Sequence, residues 1–441
     1  MSPRKPGASP TSAATATAST GTASTGSSDL LDLTRAPAVP GIWRDELRYW
    51  PALAEATQSL DTPYAVLGFE ALAHNAHDML RRAAGTPIRV ASKSIRIRAV
   101  IDAVLALPGY RGILAYTLPE ALWLAETHDD VVVGYPTVDR AALAALAADE
   151  RAAARVTVMI DSADHLDLID SVVPASRRAA PIRVGIELDA AFVAPGLGHI
   201  GAYRSPVYDA ADATALAREV LGRPGYSLVG MMAYESQIAG VGNRPRGNPI
   251  RGRILDVIQR KSVAELRERR GAVVAAVRRL APLEFVNGGG TGSLETTGAD
   301  PSVTEIGAGS GLLGGHLFDT YSRFRPAPAA AFAMSVVRKP TPEMATVLGG
   351  GWIASGPPAP DRLPEVVWPR PARMVPREMA GEVQTPLTGR GAARLQLGDR
   401  VWFRHTKSGE LSEHVDRFAV VEDGRLIGEV PSYRGEGKAF L

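Results

Sequence analysis

Eight short β-rich runs alternate with longer helical runs between Thr62 and Tyr321, and this alternation restricts the possible folds more than any other feature of the chain. Parallel strands joined by crossover helices produce such a pattern. Eight units spread over roughly 230 residues match the size of one closed (β/α)₈ barrel. The predicted barrel strands are Ile88–Ala91, Gly112–Ala115, Asp130–Gly134, Arg155–Ile160, Ile182–Leu188, Ser227–Ala233, Glu284–Asn287 and Val303–Ala308.

A second domain is predicted after Tyr321, where the alternation stops and turn residues separate β-rich stretches. Its predicted strands are Ala331–Val337, Thr346–Leu348, Arg400–Arg404, His414–Val421 and Arg425–Val430. We therefore predict an α/β protein with an N-terminal (β/α)₈ TIM-type barrel over residues 71–321 and a C-terminal β domain over residues 322–441. Residues 1–29 are predicted to be a disordered tail. Residues 30–70 are expected to join the β domain through a strand at Tyr64–Phe69.

The composition excludes several classes of function. The 49 Lys and Arg residues nearly balance the 47 Asp and Glu residues, so a net charge of +2 gives no reason to expect nucleic acid or an anionic membrane as a partner. The chain has no Cys, which removes thiolate metal sites and cysteine nucleophiles. No apolar stretch approaches the roughly 20 residues that span a bilayer. A cytoplasmic location and a small-molecule substrate are expected.

Lys93 is a candidate nucleophile because it follows the first predicted barrel strand in the stretch Arg89–Lys93. Catalytic groups of (β/α)₈ barrels lie at the carboxyl ends of the strands. A lysine amine that leaves such an apolar strand can become a nucleophile toward carbonyl groups. The alternative is an ordinary surface lysine at a strand end.

Two glycine-rich turns follow the last two predicted barrel strands, at Asn287–Ser293 and at Gly307–Gly311. Consecutive glycines allow backbone N–H groups to approach a phosphate closely, and Thr291 can add a hydroxyl donor. Either turn alone would be read as a tight turn. Together they match the phosphate site that (β/α)₈ barrels build after strands seven and eight.

Taken together, Lys93, the Gly288–Ser293 loop and the Glu305–Ser310 turn resemble the alanine-racemase-like fold of enzymes that use pyridoxal 5′-phosphate (PLP). Within that group the chain most resembles the D-threonine aldolase and D-serine dehydratase branch, including bacterial proteins described as amino acid deaminase/aldolase. The resemblance covers about Leu47 to Leu441. It implies PLP as cofactor and a homodimer in which the active site lies between the barrel of one subunit and the β domain of its partner.

The resemblance also implies roles for individual residues. Lys93 matches the lysine that carries the cofactor as a Schiff base. His199 lies where relatives have an Arg before a Gly near the cofactor, and Tyr234 begins a segment, continued by Glu235 and Gln237, that matches a substrate-facing one. The residues that match the phosphate cradle are Gly289, Gly290, Thr291, Gly309 and Ser310.

The sequence departs from these relatives at the metal site. D-threonine aldolases and D-serine dehydratases hold a divalent metal with a His and, two residues later, an Asp or Cys, whereas this chain has His405 and Lys407. An ammonium group repels a cation, so we predict that no metal binds. Relatives also place an Arg where Gly307 stands and a Tyr where Gly311 stands, so the pyridine nitrogen is expected to have another contact.

The function that the resemblance implies is a lyase reaction on a D-configured 3-hydroxy amino acid such as D-threonine or D-serine, by aldol cleavage or by dehydration. His405 is the candidate group at the 3-hydroxyl, and Lys407 is the candidate that stabilises a developing alkoxide.

Two alternatives remain open at this stage. One is an amino-acid racemase on the same fold, which needs a second base such as Tyr433 or His405 opposite Lys93. The other is a PLP-carrying protein without turnover. The small proteins of that kind lack a β domain, whereas this chain continues for more than 100 residues after Tyr321.

Overall fold

The computed structural model describes residues 29–35 and 41–441, apart from 195, 197 and 408. Except for residue 29, the predicted disordered tail therefore lies outside the described residues. The described chain forms a closed barrel of eight parallel strands and a separate nine-stranded sheet. This confirms the predicted fold class. No helix in the described ranges has both the length and the apolarity that a membrane span requires.

The chain enters the β domain before it builds the barrel. Helix α1 (Glu46–Ala56) is followed by strand β1 (Tyr64–Gly68) and helix α2 (Phe69–Ala83). Strand β1 is completely buried, because strands that are distant in the sequence flank it on both sides. Ala65 pairs with Phe332 in an antiparallel register and with Phe418 in a parallel one.

All eight predicted barrel strands are present, with ends that differ from prediction by at most two residues. Their near-continuous apolar runs suit parallel strands that are covered on both faces. They are β2 (Ile88–Ala91), β3 (Tyr110–Ala115), β4 (Val131–Val133), β5 (Val156–Ile160), β6 (Ile182–Glu187), β9 (Tyr226–Ala233), β10 (Phe285–Gly288) and β11 (Glu305–Ala308). The barrel closes where β11 pairs with β2.

Helices surround the barrel, and a small hairpin of β7 (Phe192–Ala194) and β8 (Gly198–Ile200) follows β6. The helices are α3 (Arg98–Leu105), α4 (Leu118–Leu124), α5 (Arg140–Ala148), α6 (Glu150–Arg155), α7 (Ala163–Val172), α8 (Ala210–Gly222), α9 (Ser236–Ala239), α10 (Pro249–Arg278), α11 (Leu294–Gly298) and α12 (Ser310–Leu313). Helix α10 begins at Pro249, which suits the first position of a helix, and the Asn248 side chain caps it by accepting the Arg251 N–H at 3.0 Å.

The β domain contains β12 (Ala330–Arg338), β13 (Ala345–Leu348), β14 (Glu365–Trp368), β15 (Arg373–Met374), β16 (Gln384–Thr388), helix α13 (Arg390–Arg394), β17 (Arg400–Arg404), β18 (Arg417–Glu422) and β19 (Arg425–Pro431). The sheet order is β15-β16-β13-β12-β1-β18-β19, and β17 pairs with both β12 and β14. The predicted strand start at His414 is wrong. The His414 ring stacks on Trp352 with ring centroids 4.8 Å apart, and β18 begins at Arg417.

Candidate active site

Lys93 lies at the carboxyl end of barrel strand β2. The strand ends at Ala91, and the chain then makes a short 3₁₀ turn over Ser92–Ser94. The Lys93 Nζ donates a hydrogen bond to the Tyr135 Oη at 2.7 Å. Tyr135 follows strand β4 by two residues, so both side chains come from strand ends on the same face of the barrel.

A cavity of about 160 Å³ opens at this face. This volume is roughly ten times the space that one water requires, so it suits a small organic ligand. The structure brings eight of the ten predicted site residues to its walls: Lys93, Tyr234, Gly289, Gly290, Thr291, Gly309, Ser310 and Lys407. Their chemical roles remain predictions. His199 and His405 do not line the cavity.

The first glycine loop is anchored to strand β9 by Glu235. The Gly289 N–H donates to the Glu235 carboxylate at 2.9 Å, and the Gly290 N–H donates to the Ser293 hydroxyl at 3.2 Å. These two N–H groups are thus already satisfied within the protein. Gly289 has φ +76°, which favours glycine, and a Cβ on Gly290 would lie 3.0 Å from the Ala239 Cβ. Packing within the protein therefore requires glycine at these two positions, and their N–H groups are not free to bind a ligand.

Hydroxyl groups connect the two glycine-rich turns to each other and to the Lys93 segment. The Thr291 hydroxyl oxygen accepts the Gly311 N–H at 3.0 Å, so its own hydrogen is free to donate. Ser310 donates to the Ser94 hydroxyl at 2.8 Å, which leaves the Ser94 hydrogen free in turn. A Cβ on Gly309 would lie 2.4 Å from the Ala91 carbonyl oxygen, so only glycine lets this turn pass so close to strand β2.

Arg204 and Tyr135 are cavity residues that the sequence analysis missed. The Arg204 guanidinium carbon lies 5.1 Å from the centre of the Tyr135 ring and 4.8 Å from that of Tyr234. Its ion pair with the buried Glu187, at 3.2 Å, holds it there. The position of Tyr135 just after a predicted strand was a usable signal. Arg204 lies in an irregular segment after the hairpin, and nothing local marked it.

The two tyrosines next to Arg204 differ in their electrostatic environment. Burial raises the pKa of the Tyr135 phenol, but the positive charges of Lys93 and Arg204 outweigh it and bring the pKa below its ordinary value. Burial dominates for Tyr234 and raises the pKa of its phenol to about 12. Tyr234 therefore lines the cavity as a neutral phenol, whereas Tyr135 ionises more easily than a free tyrosine.

His199 lies outside the cavity, on the hairpin strand β8. Its ring stacks on Tyr203 with centroids 4.0 Å apart, and its Nε2 lies 3.4 Å from Asp189. Arg204, five residues later, provides a cationic group in the cavity. The cofactor contact predicted for His199 therefore stays a prediction.

The predicted pair His405 and Lys407 does not meet at the cavity, because only Lys407 lines it. Strand β17 ends at Arg404, so the alternation that would put both side chains on one face stops before them. His405 is buried, with its Nδ1 3.3 Å from the Ala330 carbonyl oxygen, and burial together with the Arg404 charge lowers its pKa to about 3. Lys407 lines the cavity, and burial with the nearby Arg362 lowers its pKa.

The remaining candidates from the sequence have structural contacts. Glu235 supports the glycine loop, and Gln237 donates to the Ala190 carbonyl oxygen at 2.7 Å. Tyr433 is buried and donates to Glu120 at 3.0 Å, where burial raises the pKa of the Glu120 carboxyl to about 7. None of these side chains lines the cavity.

The metal prediction stays a prediction. Across residues 29–35 and 41–441, without 195, 197 and 408, no three His, Asp or Glu side chains are grouped so that they could hold an ion. At Gly307 an arginine side chain would have little room, because a Cβ there would lie 2.9 Å from the Asn287 Oδ1.

A closed parallel barrel with a lysine after its first strand, two glycine-rich turns after its last two strands and a following β domain defines the alanine-racemase-like fold. The chain has this fold, as its sequence predicts. No protein-family model matches the chain.

Individual proteins of known activity also resemble the chain. A D-threonine aldolase from Arthrobacter sp. is 28% identical over 256 residues, which are 57% of this chain and 60% of that protein. The match thus spans less than two thirds of the aldolase. The crystal structure of D-threonine aldolase from Filomicrobium marinum superposes with a TM-score of 0.71 at 21% identity, over 91% of this chain and 99% of that one.

Two further structures share the fold. D-threo-3-hydroxyaspartate dehydratase from Delftia sp. HT23 has a TM-score of 0.63 at 18% identity, covering 86% of this chain and 98% of that one. Alanine racemase from Bacillus anthracis has a TM-score of 0.52 at 13% identity, covering 86% of this chain and 99% of that one.

Proposed function

We propose that this protein is a PLP-dependent lyase that acts on D-configured 3-hydroxy amino acids. The observation that carries the proposal is that the Lys93 amine and both glycine-rich turns border one cavity. A single small molecule can therefore contact the Lys93 amine and both glycine-rich turns at the same time. The D-threonine aldolases and the D-threo-3-hydroxyaspartate dehydratase that resemble the chain support this choice of chemistry.

The residues present fit a cofactor that carries an aldehyde and a phosphate. Lys93 would hold it covalently, and Thr291, Gly309 and Ser310 would hold the phosphate. The free hydroxyl hydrogens of Thr291 and Ser94 add donors to that site. When bound, PLP withdraws electrons from the α-carbon of an amino acid and weakens the bonds there.

Lys407 would act at the oxygen on the substrate's third carbon. It reaches the cavity from the β domain, and a cation at this place stabilises an oxygen that becomes negative. Its lowered pKa also makes it a better proton donor to a departing hydroxyl. These two actions correspond to aldol cleavage and to dehydration.

The racemase alternative is less well supported by this site. The two second bases considered for it, Tyr433 and His405, do not line the cavity: Tyr433 is bound to Glu120, and His405 is enclosed and held neutral. A homodimer, which the resemblance implies, is part of the proposal. A protein that only carried PLP would need neither the nine-stranded sheet nor Lys407 at the cavity.

The first experiment tests the covalent role of Lys93. Protein reconstituted with PLP is reduced with borohydride and digested, and the labelled peptide is identified by mass spectrometry. We expect the label on Lys93, its loss in Lys93→Arg, and its retention in Lys261→Arg, a control at an exposed lysine of helix α10. Label on another lysine would contradict the proposal.

The second experiment tests the reaction. D-threonine, D-serine and D-threo-3-hydroxyaspartate are supplied to the reconstituted protein, with their L-enantiomers and D-alanine as controls. Release of aldehyde identifies aldol cleavage, and release of keto acid with ammonia identifies dehydration. Exchange of the α-hydrogen with inversion, and no other product, would instead identify a racemase.

A further inference from the structure

Tyr135 contacts the reactive end of Lys93 directly. The Nζ–Oη distance is 2.7 Å, and the Nζ lies 5.3 Å from the centre of the Tyr135 ring. Both residues line the cavity, and both follow strand ends of the barrel. An amine must lose its proton before it can attack a carbonyl group, so a proton acceptor at this distance has a chemical use.

The groups that face the Tyr135 phenol carry mostly positive charge. The Lys93 Nζ lies 2.7 Å from the Oη, and the Arg204 guanidinium carbon lies 5.1 Å from the ring centre. Glu187 forms an ion pair with Arg204 at 3.2 Å, and the Arg204 guanidinium carbon also lies 4.8 Å from the centre of the Tyr234 ring. Lys407 borders the same cavity. Two cations next to a phenol favour its ionised form. The lowered pKa of Tyr135 agrees with this arrangement.

We propose that Tyr135 is a catalytic acid–base residue that exchanges a proton with Lys93. In one direction the proton moves from the Lys93 ammonium Nζ to the Tyr135 phenolate Oη, which leaves a neutral amine and a neutral phenol. In the other direction the phenol returns it. The net charge of the pair is unchanged, and no other reactant is needed. The inference rests on the proposed function, which requires Lys93 to react as an amine.

Arg204 is a positioning residue in this proposal. Its positive charge stabilises the Tyr135 phenolate. Its ion pair with Glu187, whose side chain is 2% exposed, fixes the position of the guanidinium. The alternative is that Tyr135 only orients the Lys93 side chain. An orienting phenol would act in the same way whatever its acidity, so the two roles can be separated by changing that acidity.

The test measures the labelling rate of Lys93 in cofactor-free protein, with PLP and separately with trinitrobenzenesulfonate, which needs no cofactor site. In Tyr135→Phe we expect both rates at neutral pH to fall by roughly 10²-fold. Binding of pyridoxine 5′-phosphate, which has no aldehyde, should stay unchanged and report an intact cavity. Tyr116→Phe is the matched control, since Tyr116 also lines the cavity but lies against Arg96.

A second variant separates acidity from shape. Replacement of Tyr135 by 3,5-difluorotyrosine retains the geometry and makes the phenol more acidic, so the pH profile of labelling should move to lower pH. Arg204→Gln should move it to higher pH. Unchanged profiles in both variants, or a Tyr135→Phe protein that labels as fast as the parent, would overturn the inference.

The experiment distinguishes a failure of the proposed function from a failure of this inference. If wild-type protein does not capture PLP on Lys93, that function is wrong, and the trinitrobenzenesulfonate rates alone then decide for or against the Tyr135–Lys93 proton exchange.

Discussion

Glu235 and Gly289 are joined by a hydrogen bond of 2.9 Å from the Gly289 N–H to the Glu235 carboxylate, which ties the end of strand β9 to the glycine loop after β10. The other carboxylate oxygen accepts the Thr297 hydroxyl, and the guanidinium of Arg270 lies 3.5 Å away. Every group around this buried carboxylate is a donor. The loop that would hold a phosphate is therefore shaped by a residue that does not itself border the cavity.

Glu235→Gln should destabilise the protein and weaken cofactor binding. An amide presents N–H donors to neighbours that are donors already, and a buried polar group without a partner costs about 1–3 kcal/mol. Denaturant unfolding of cofactor-free protein should show a loss of that size. Glu284→Gln is the control, because the Glu284 ion pair with Arg183 is half exposed and contributes only about 0–1 kcal/mol. Equal stability of the two variants would contradict this account of the loop.

Thr291→Val should reduce cofactor affinity without unfolding the protein. The change keeps the side-chain volume but removes the hydroxyl that accepts the Gly311 N–H and has a hydrogen left for a phosphate. One hydrogen bond to a charged group contributes about 1.5–3 kcal/mol, which corresponds to a roughly tenfold to hundredfold weaker affinity. Titration with PLP measures the change. Thr296→Val, outside the cavity, should leave the affinity unaltered.

The enclosed His405 should make stability depend on pH. Its folded-state pKa of about 3 lies below the ordinary value of 6.5, so the unfolded chain takes up a proton that the folded chain does not. The contribution is complete above pH 6.5 and is lost as the pH falls toward 3, at up to about 1.4 kcal/mol per pH unit. His405→Gln should flatten this slope. An unaltered slope would show that His405 takes up its proton as readily in the folded chain as in the unfolded chain.

Catalysis should survive exhaustive chelation of divalent metals. Lys407 lines the cavity, and its positive charge would repel a divalent cation there. Lys407→Met should lower the turnover of the D-3-hydroxy amino acid, since it removes the charge but retains most of the side-chain length. Turnover that is lost on chelation and restored by zinc or manganese would refute the metal-free site.

The barrel, the β domain, Lys93 and the glycine-rich turns were readable from the sequence, because each is marked locally. Parallel strands that are buried on both faces appear as short apolar runs, and all eight of them lie within two residues of their predicted ends. The glycines follow the last two strands, where backbone must approach backbone closely, as between Gly309 and Ala91. Such constraints act on neighbouring residues and leave a pattern in the chain.

Only the tertiary structure decided which polar side chains reach the cavity. The Lys93–Tyr135 contact joins residues 42 positions apart, and Arg204 lines the cavity whereas His199, on the β7–β8 hairpin, does not. His405 and Lys407 look equivalent in the sequence, yet one is enclosed by the β domain and the other faces the cavity. Side-chain direction after a strand end and burial by distant segments depend on contacts across the chain, and no local pattern encodes them.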